Sequence, residues 1–180
     1  QERNARSGTQ NIPGIVGFAK ALTLVQEKLA EENQRLTALR SYMWERIEAE
    51  IPGVVINGQN IYLGLQRLPN NLHISFRGVS GKSLLLYLEK QGICVSTGSA
   101  CGAGKFEPSH VLQAIACPKE FISGSIRITL GVRNNKKDID CAVDAIKKGV
   151  MELRVAQKIS SPLTFVTGRK NTSSCIEMTN

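Results

Sequence analysis

The sequence predicts an α+β domain in which helices cover a small sheet. Apolar residues at helical spacing occupy both ends of the region up to residue 153, and short β-rich runs with alternating apolar residues lie between them. The predicted order is α, α, β, β, α, β, α, β, α. With 180 residues, 42% of them hydrophobic, and no long apolar run, the chain can form one core and has no predicted membrane span.

Residues 13 to 50 are predicted to be helical. Asn11 is a reasonable N-cap, and Pro13 suits a first helical turn. Two apolar stripes follow, separated by the polar residues 32–34: Ile15, Phe18, Leu22, Val25 and Leu29, then Leu36, Leu39, Met43 and Ile47. The pattern fits either two helices or one long bent helix, and Pro52-Gly53 ends it.

Three short strands are predicted next, at residues 54–56, 72–76 and 93–95. A helix containing Leu84 and Leu88 lies between the second and third, and Gly92 closes it. Residues 96–104, rich in glycine and serine, have the composition of a loop.

The last part of the domain contains two more helices and a strand. A short helix is expected from Pro108-Ser109 through Ile115, a strand over 125–130, and a closing helix over 136–153. Beyond Arg154 the chain is polar and lacks periodicity, so we expect a tail.

Charge and cysteine content exclude several classes of function. The net charge is +8, but the basic residues are scattered and few aromatic residues accompany them, so we expect no nucleic-acid partner. The first residues lack the order of a secretory signal, and a cytoplasmic setting is the expectation. Five cysteines without a CxxC pair indicate reduced thiols rather than disulfides or a metal site.

Residues 81–83 imitate the end of a phosphate-binding P-loop. That motif needs a glycine five positions before Gly81, where this chain has Phe76. We therefore interpret Gly81 as the start of a helix.

Cys101 is the candidate reactive thiol. It lies among glycine, serine and alanine residues, so it should be accessible, although accessibility alone leaves an ordinary exposed thiol equally possible. Cys94 lies within a predicted strand, Cys117 follows a predicted helix and Cys141 lies on one, and cysteine at such positions commonly packs as a small hydrophobe. Cys175 is expected to be an exposed thiol in the tail.

Five blocks of sequence carry a resemblance to a known family. They are STGSAC at 96–101, EPSHVL at 107–112, RSGT at 6–9, LPNNL at 68–72 and SIRITLG at 125–131. Their order and spacing resemble those of the NifS-like cysteine desulfurases over about residues 1 to 153. The resemblance implies the small C-terminal domain of a fold-type I pyridoxal-phosphate-dependent transferase.

The resemblance also divides the chain. Residues 1–12 would end the cofactor-domain segment, residues 13–153 would form the small α+β domain with an active-site loop over 96–108, and residues 154–180 would be the polar tail. The implied chemistry is the conversion of L-cysteine to L-alanine, with a persulfide formed on Cys101 and then passed to an acceptor or scaffold protein.

Three further residues receive implied roles. Arg127 would bind the substrate carboxylate, since a planar guanidinium suits that task, and otherwise it would be read as a surface salt-bridge residue. Thr9 would donate a hydrogen bond to the cofactor phosphate across a homodimer interface. Asn71 matches a position near the substrate, although an ordinary turn residue is equally consistent. His73 and His110 are expected to be structural.

The chain departs from the family pattern at the cofactor lysine. By the resemblance, this lysine follows a Ser-x-His pattern upstream of residues 6–9, and no lysine here has that setting. We therefore expect it outside this chain. Two alternatives stay open: a selenocysteine lyase or cysteine sulfinate-type lyase on the same scaffold, and a non-catalytic interaction module.

Overall fold

The computed structural model describes residue 3 and residues 5–58, 67–97 and 109–160, with side chains to residue 157. In chain order its elements are α1 (Ile12–Glu50), β1 (Val54–Ile56), β2 (Asn71–Phe76), α2 (Gly81–Lys90), α3 (His110–Ala114), α4 (Lys119–Ile122), β3 (Ser125–Thr129) and α5 (Lys136–Ser160). The predicted α+β class is confirmed.

The three strands form one antiparallel sheet in the order β1-β2-β3. The strand predicted at 93–95 is wrong, since only an isolated bridge between Ser96 and Arg127 forms there. The end of α2 explains the difference. Gly92 has a φ of 76° and the Ile93 N–H donates to the Leu88 carbonyl at 2.9 Å, so this backbone completes the helix terminus before it can join the sheet.

The hydrophobic core lies on one face of the sheet. Alternate residues of β2 and β3 point into it, because successive strand side chains face opposite sides. They pack against α1, α2 and α5, and the fully buried set includes Leu72, Ile74, Phe76, Ile126, Met43, Ile47, Leu84, Leu88, Val143, Ile146 and Val150.

The helices differ from the prediction in two places. Residues 12–50 form a single helix, which is one of the two predicted alternatives, whereas α5 continues past Leu153 to Ser160 and the four-residue α4 was not predicted. Only the second half of α1 packs on the core, because its residues 12–33 are exposed or nearly so. No helix within the described ranges is long and apolar enough to cross a membrane.

Gly81 allows the start of α2 to approach β3 closely. Its N–H donates to the Ser123 carbonyl at 2.8 Å, and a Cβ at this position would lie 2.4 Å from the Ser125 carbonyl oxygen. Ser80 caps the helix by accepting from the Ser83 N–H at 3.3 Å. Gly81 is thus the first residue of α2, as predicted, and it also allows the close packing of this helix against β3.

Ion pairs join α1 to α5. Arg46 contacts Glu50, Asp140 and Asp144 at 2.7, 2.9 and 3.0 Å, and Lys147 contacts Glu50 at 3.1 Å. The hydrogen bond from Lys147, followed by that from Arg46, lowers the pKa of Glu50. The hydrogen bond from the Tyr42 hydroxyl, followed by Arg46, lowers the pKa of Asp140. Both carboxylates are therefore stabilised in their charged form.

Gly81→Ala should destabilise the chain by about 1 to 3 kcal/mol, because the new methyl group meets backbone that cannot move independently. Gly17→Ala, in the exposed part of α1 where a Cβ meets nothing within 4 Å, is the matched control. It should be neutral or stabilising by up to about 1 kcal/mol. Urea unfolding measures both, and equal effects of the two substitutions would contradict the packing role.

Acidification should weaken the α1–α5 connection. A carboxyl whose folded pKa is depressed stabilises the fold above its unfolded pKa, and this contribution is lost as the pH falls through the folded pKa. We expect Arg46→Met to lower the free energy of unfolding at about pH 6 and to lower it less at about pH 3. Lys148→Met, at an exposed position on α5, is the control; a pH-independent effect of Arg46→Met would refute the assignment.

Candidate functional site

The face of the sheet opposite the core carries the polar side chains. In β2 these alternate with the buried apolar residues, and the antiparallel register places each of them beside a polar residue of β3. The cross-strand pairs on this polar face are Asn71 with Thr129, His73 with Arg127, and Ser75 with Ser125.

Arg127 lies in the middle of this polar face and is exposed. His73 flanks it on one side, and Ser96 flanks it on the other through two backbone hydrogen bonds. The Ser96 N–H donates to the Arg127 carbonyl at 3.0 Å, and the Arg127 N–H donates to the Ser96 carbonyl at 2.7 Å. None of the carboxylates within the described ranges forms an ion pair with its guanidinium, so the group can receive an anion.

Ser96 begins the segment that contains Cys101. Residues 98–108, which include Cys101, lie outside the described residues, whereas the residues on either side of them are described. On the far side, Ser109 caps α3 by accepting from the Leu112 N–H, and Leu112 is buried. Cys101 follows Ser96 by five residues, a distance of at most about 17 Å along an extended chain.

His73 is half-buried beside two arginines. Burial, followed by the charges of Arg127 and Arg67, lowers the pKa of its imidazole. A histidine with a lowered pKa is neutral at physiological pH. It therefore adds no positive charge at this position but keeps one ring nitrogen as an acceptor.

A buried polar cluster borders the site. The Asn57 amide donates to the Ser75 hydroxyl at 2.8 Å, and the Cys117 thiol donates to the Asn57 Oδ1 at 3.3 Å. Burial raises the pKa of Cys117, and a hydrogen bond involving Ser75 partly offsets this. Arg67 donates to the Asn57 carbonyl, so this cluster is connected to the segment that enters β2.

Arg40 holds that entering segment from the core side. It is buried on α1, and its Nη1 donates to the Leu68 carbonyl at 2.9 Å. The sequence reasoning missed Arg40, Arg67 and Asn57 as neighbours of the site. Alternation within β2 could have assigned His73 to the face of Arg127, but no pattern in the sequence indicates the contact between α1 and Leu68.

The predicted site residues fall into three groups. Arg127 and Asn71 lie on the same polar face, and Cys101 lies outside the described residues. Thr9 is exposed and lies just before α1. The first buried residue of α1 is Leu36, which lies about 36 Å along the helix from Ile12, so this length of helix separates Thr9 from the sheet. The chain does not bring Thr9 and Arg127 together.

The expected packing of two other cysteines is wrong. Cys94 and Cys141 are exposed, and only Cys117 is partly buried. Cys94 follows Gly92 at the end of α2, in the segment that does not join the sheet, and Cys141 lies on the outward side of α5. Within the described part of the chain, no group of three or more His, Cys, Asp or Glu residues could hold a metal ion.

Solved structures of known proteins share this fold. Solved structures that resemble the chain include a NifS-like protein, with a TM-score of 0.69 and 33% identity over 84% of this chain and 37% of that one. Another is the NifS-like protein of Rickettsia africae, with a TM-score of 0.67 and 28% identity over 84% of this chain and 38% of that one. The fold is thus that of a domain found in NifS-like proteins.

The sequence comparisons identify the family. Residues 1–141 match the family model of the class-V aminotransferases. Cysteine desulfurase IscS of Dictyoglomus turgidum is 44% identical over 154 residues, which are 86% of this chain and 38% of the relative. Cysteine desulfurase IscS of Methanosarcina thermophila is 43% identical over 164 residues, which are 91% of this chain and 38% of the relative. The chain belongs to the aminotransferase class-V family and spans about 38% of the length of these curated relatives.

The three described cysteines should differ in reactivity. In the native chain at about pH 7.5, iodoacetamide should label Cys94 and Cys141 at least about threefold faster than Cys117, since less of the Cys117 thiol is ionised and accessible. Mass spectrometry of the digested protein measures each rate. In urea the three rates should become equal, and labelling of Cys117 as fast as Cys94 in the native chain would contradict its hydrogen-bonded position.

Proposed function

We propose that this chain forms the small domain of a pyridoxal-phosphate-dependent cysteine desulfurase that converts L-cysteine to L-alanine and receives the sulfur on Cys101. The observation that carries the proposal is the backbone pairing of Arg127 with Ser96. It attaches the flank of the Cys101 segment to the residue best suited to bind a carboxylate. The cysteine desulfurase relatives support the same reaction.

Arg127 binds the carboxylate of the substrate in this proposal. A guanidinium can donate two parallel hydrogen bonds to a carboxylate, and such charge-assisted pairs are the strong ones. Its mid-strand position supports this role, because the strand fixes its backbone while its side chain stays exposed. Asn71, two residues before His73 on the same face, is proposed to lie near the bound substrate.

Cys101 is the nucleophile. Its thiolate attacks the sulfur of the bound cysteine, so an S–S bond forms while the carbon–sulfur bond breaks. The electron pair of the broken bond remains with the carbon, which takes a proton and becomes the methyl group of alanine. Cys101 is left as a persulfide, and an acceptor protein then takes the terminal sulfur.

Only part of the cofactor site fits residues of this chain. Class-V aminotransferases use pyridoxal phosphate, which supplies an electron sink next to the α-carbon when bound. Arg127 suits the substrate side of such a site, and the Thr9 hydroxyl suits a phosphate. Neither β2 nor β3 carries a lysine, and the family motif for the cofactor lysine is absent from the sequence. The anchoring lysine is therefore proposed to come from another segment.

Thr9 supports a shared site in a homodimer. It lies beyond the exposed half of α1, far from the Arg127 of its own chain, whereas its proposed task is to contact the cofactor phosphate. A Thr9 that reaches the site of a second copy would satisfy both conditions. A cytoplasmic setting and a protein acceptor for the sulfur complete the proposal.

A non-catalytic interaction module is the second candidate. The guanidinium of Arg127, which pairs with none of the described carboxylates, favours the enzyme, because a binding module has no need for a carboxylate-binding group beside the Cys101 segment.

The first test measures alanine formed from L-cysteine, with pyridoxal phosphate and a reductant, by residues 1–180 combined with the segment that supplies the lysine. Cys101→Ser should abolish alanine formation with cysteine, and Cys141→Ser, at an exposed position on α5, should leave it unchanged. Alanine formed equally well without the Cys101 thiol would instead indicate a lyase of the selenocysteine or sulfinate type. No alanine in any combination would favour the interaction module.

Arg127→Gln should raise the KM for L-cysteine about 10- to 100-fold, the range expected when a charge-assisted hydrogen bond is removed. Arg77→Gln is the matched control, since Arg77 directly follows β2 and pairs instead with Glu120 at 2.6 Å. Steady-state kinetics on both variants checks this. A KM that rises equally in the two variants would argue against a specific carboxylate site at Arg127.

A further inference from the structure

His73 is the immediate neighbour of the proposed carboxylate-binding residue. It pairs with Arg127 in the register of β2 and β3, so the two side chains stand on the same face of the sheet. The Cβ atoms of directly opposed residues lie about 4.5–5.5 Å apart, which places an imidazole within reach of an arginine side chain. In the sequence, His73 was expected to be a structural residue.

The surroundings of His73 keep its ring neutral. The charged groups that face it from the described residues are Arg127 on β3 and Arg67 before β2. On the β1 side, its backbone carbonyl accepts from the uncharged Asn57 at 2.8 Å, and the Cys117 thiol donates to the side chain of Asn57. With two cations and no described anion beside it, the imidazole retains an unprotonated nitrogen that can accept a hydrogen bond.

Within the described ranges, in contrast, no hydrogen bond or ion pair of its guanidinium fixes the orientation of the Arg127 side chain. Its side chain is exposed, and within the described ranges no carboxylate pairs with it. A long side chain loses up to about 2 kcal/mol of conformational entropy when it is ordered, so a substrate that must order the guanidinium binds more weakly. A neighbour that restricts the guanidinium beforehand would reduce this loss.

We propose, on the basis of the proposed function, that His73 is a positioning residue for Arg127. Its imidazole accepts one N–H of the guanidinium and leaves the remaining donors directed at the α-carboxylate of the amino-acid substrate. His73 therefore acts on substrate binding through Arg127. It exchanges no proton with the reacting atoms, so its loss should change KM and leave kcat nearly unchanged.

The contact between the two side chains can be tested without any enzyme activity. The chain has two histidines, so NMR of ¹⁵N-labelled imidazoles in residues 1–180 gives two titrations, which His110→Asn assigns. Arg127→Gln should raise the pKa of His73, because a neighbouring positive charge is removed. Arg77→Gln should leave the pKa of His73 unchanged, and an unchanged pKa in Arg127→Gln would overturn the pairing.

Kinetics on the holoenzyme tests the role itself. His73→Leu, which removes the acceptor at similar volume, should raise the KM for L-cysteine about three- to tenfold, with kcat within about twofold. His73→Asn restores a side-chain acceptor and should return KM toward the original value. In an Arg127→Gln background, His73→Leu should have no further effect on KM, because the group that it positions is already absent.

The two proposals fail in different ways. If alanine forms and depends on Cys101 while His73→Leu leaves KM unchanged, the positioning role is refuted and the desulfurase function stands. If the NMR titration links His73 to Arg127 but no combination of segments forms alanine, the desulfurase function fails, and with it the role of His73 in substrate binding. A fall in kcat with unchanged KM in His73→Leu would refute positioning in favour of a direct chemical role.

Discussion

The register of β2 against β3 is the constraint on which the rest of the molecule depends. Strand side chains alternate between two faces, so this register sends Leu72, Ile74 and Ile126 into the core and Arg127 to the opposite face. A slip of one residue would bury the guanidinium and expose the apolar side chains, at a cost far larger than the stability of a small domain. The burial of the core thereby also determines the position of the candidate site.

Close approaches of backbone maintain this register. The Phe76 N–H donates to the Gly124 carbonyl at 3.1 Å, and a Cβ on Gly124 would lie 2.0 Å from the Phe76 carbonyl oxygen. Together with Gly81, which meets the Ser125 carbonyl, these glycines join the end of β2, the start of α2 and the start of β3. These close contacts determine where β3 begins, and hence the position of Arg127 along the strand.

The sequence predicted those elements whose residues follow a regular period over several turns or pairs. Residues 71–76 and 125–129 alternate clearly, and α2 and α5 carry regular apolar stripes, so their type was predictable. The segment at 93–95 is apolar enough for a strand, but its backbone completes the end of α2, which no short-range pattern reveals. The sequence also left the continuity of α1 undecided, and the side chains of its first apolar stripe are exposed in the structure.

The residues of the candidate site also divide into those that the sequence indicated and those that only the structure reveals. Arg127 and Asn71 were assigned to it by resemblance, and the strand register places them on one face. The neighbours that shape the site come from distant parts of the chain: Arg40 from α1, Asn57 from the end of β1, and Ser96 from the segment after α2. Contacts of this kind depend on tertiary packing, so a reading of local periodicity cannot find them.

The two proposed functional groups have different tasks, and each task makes its own demand on the protein. Carboxylate binding requires an arginine whose backbone is held in one place, which pairing with a neighbour on either side provides. Sulfur transfer requires a thiol that contacts first the substrate and then an acceptor, and a loop-like segment of small residues suits that requirement. The two backbone hydrogen bonds between Arg127 and Ser96 connect the two groups. They attach the residue that begins the Cys101 segment to the strand that carries Arg127.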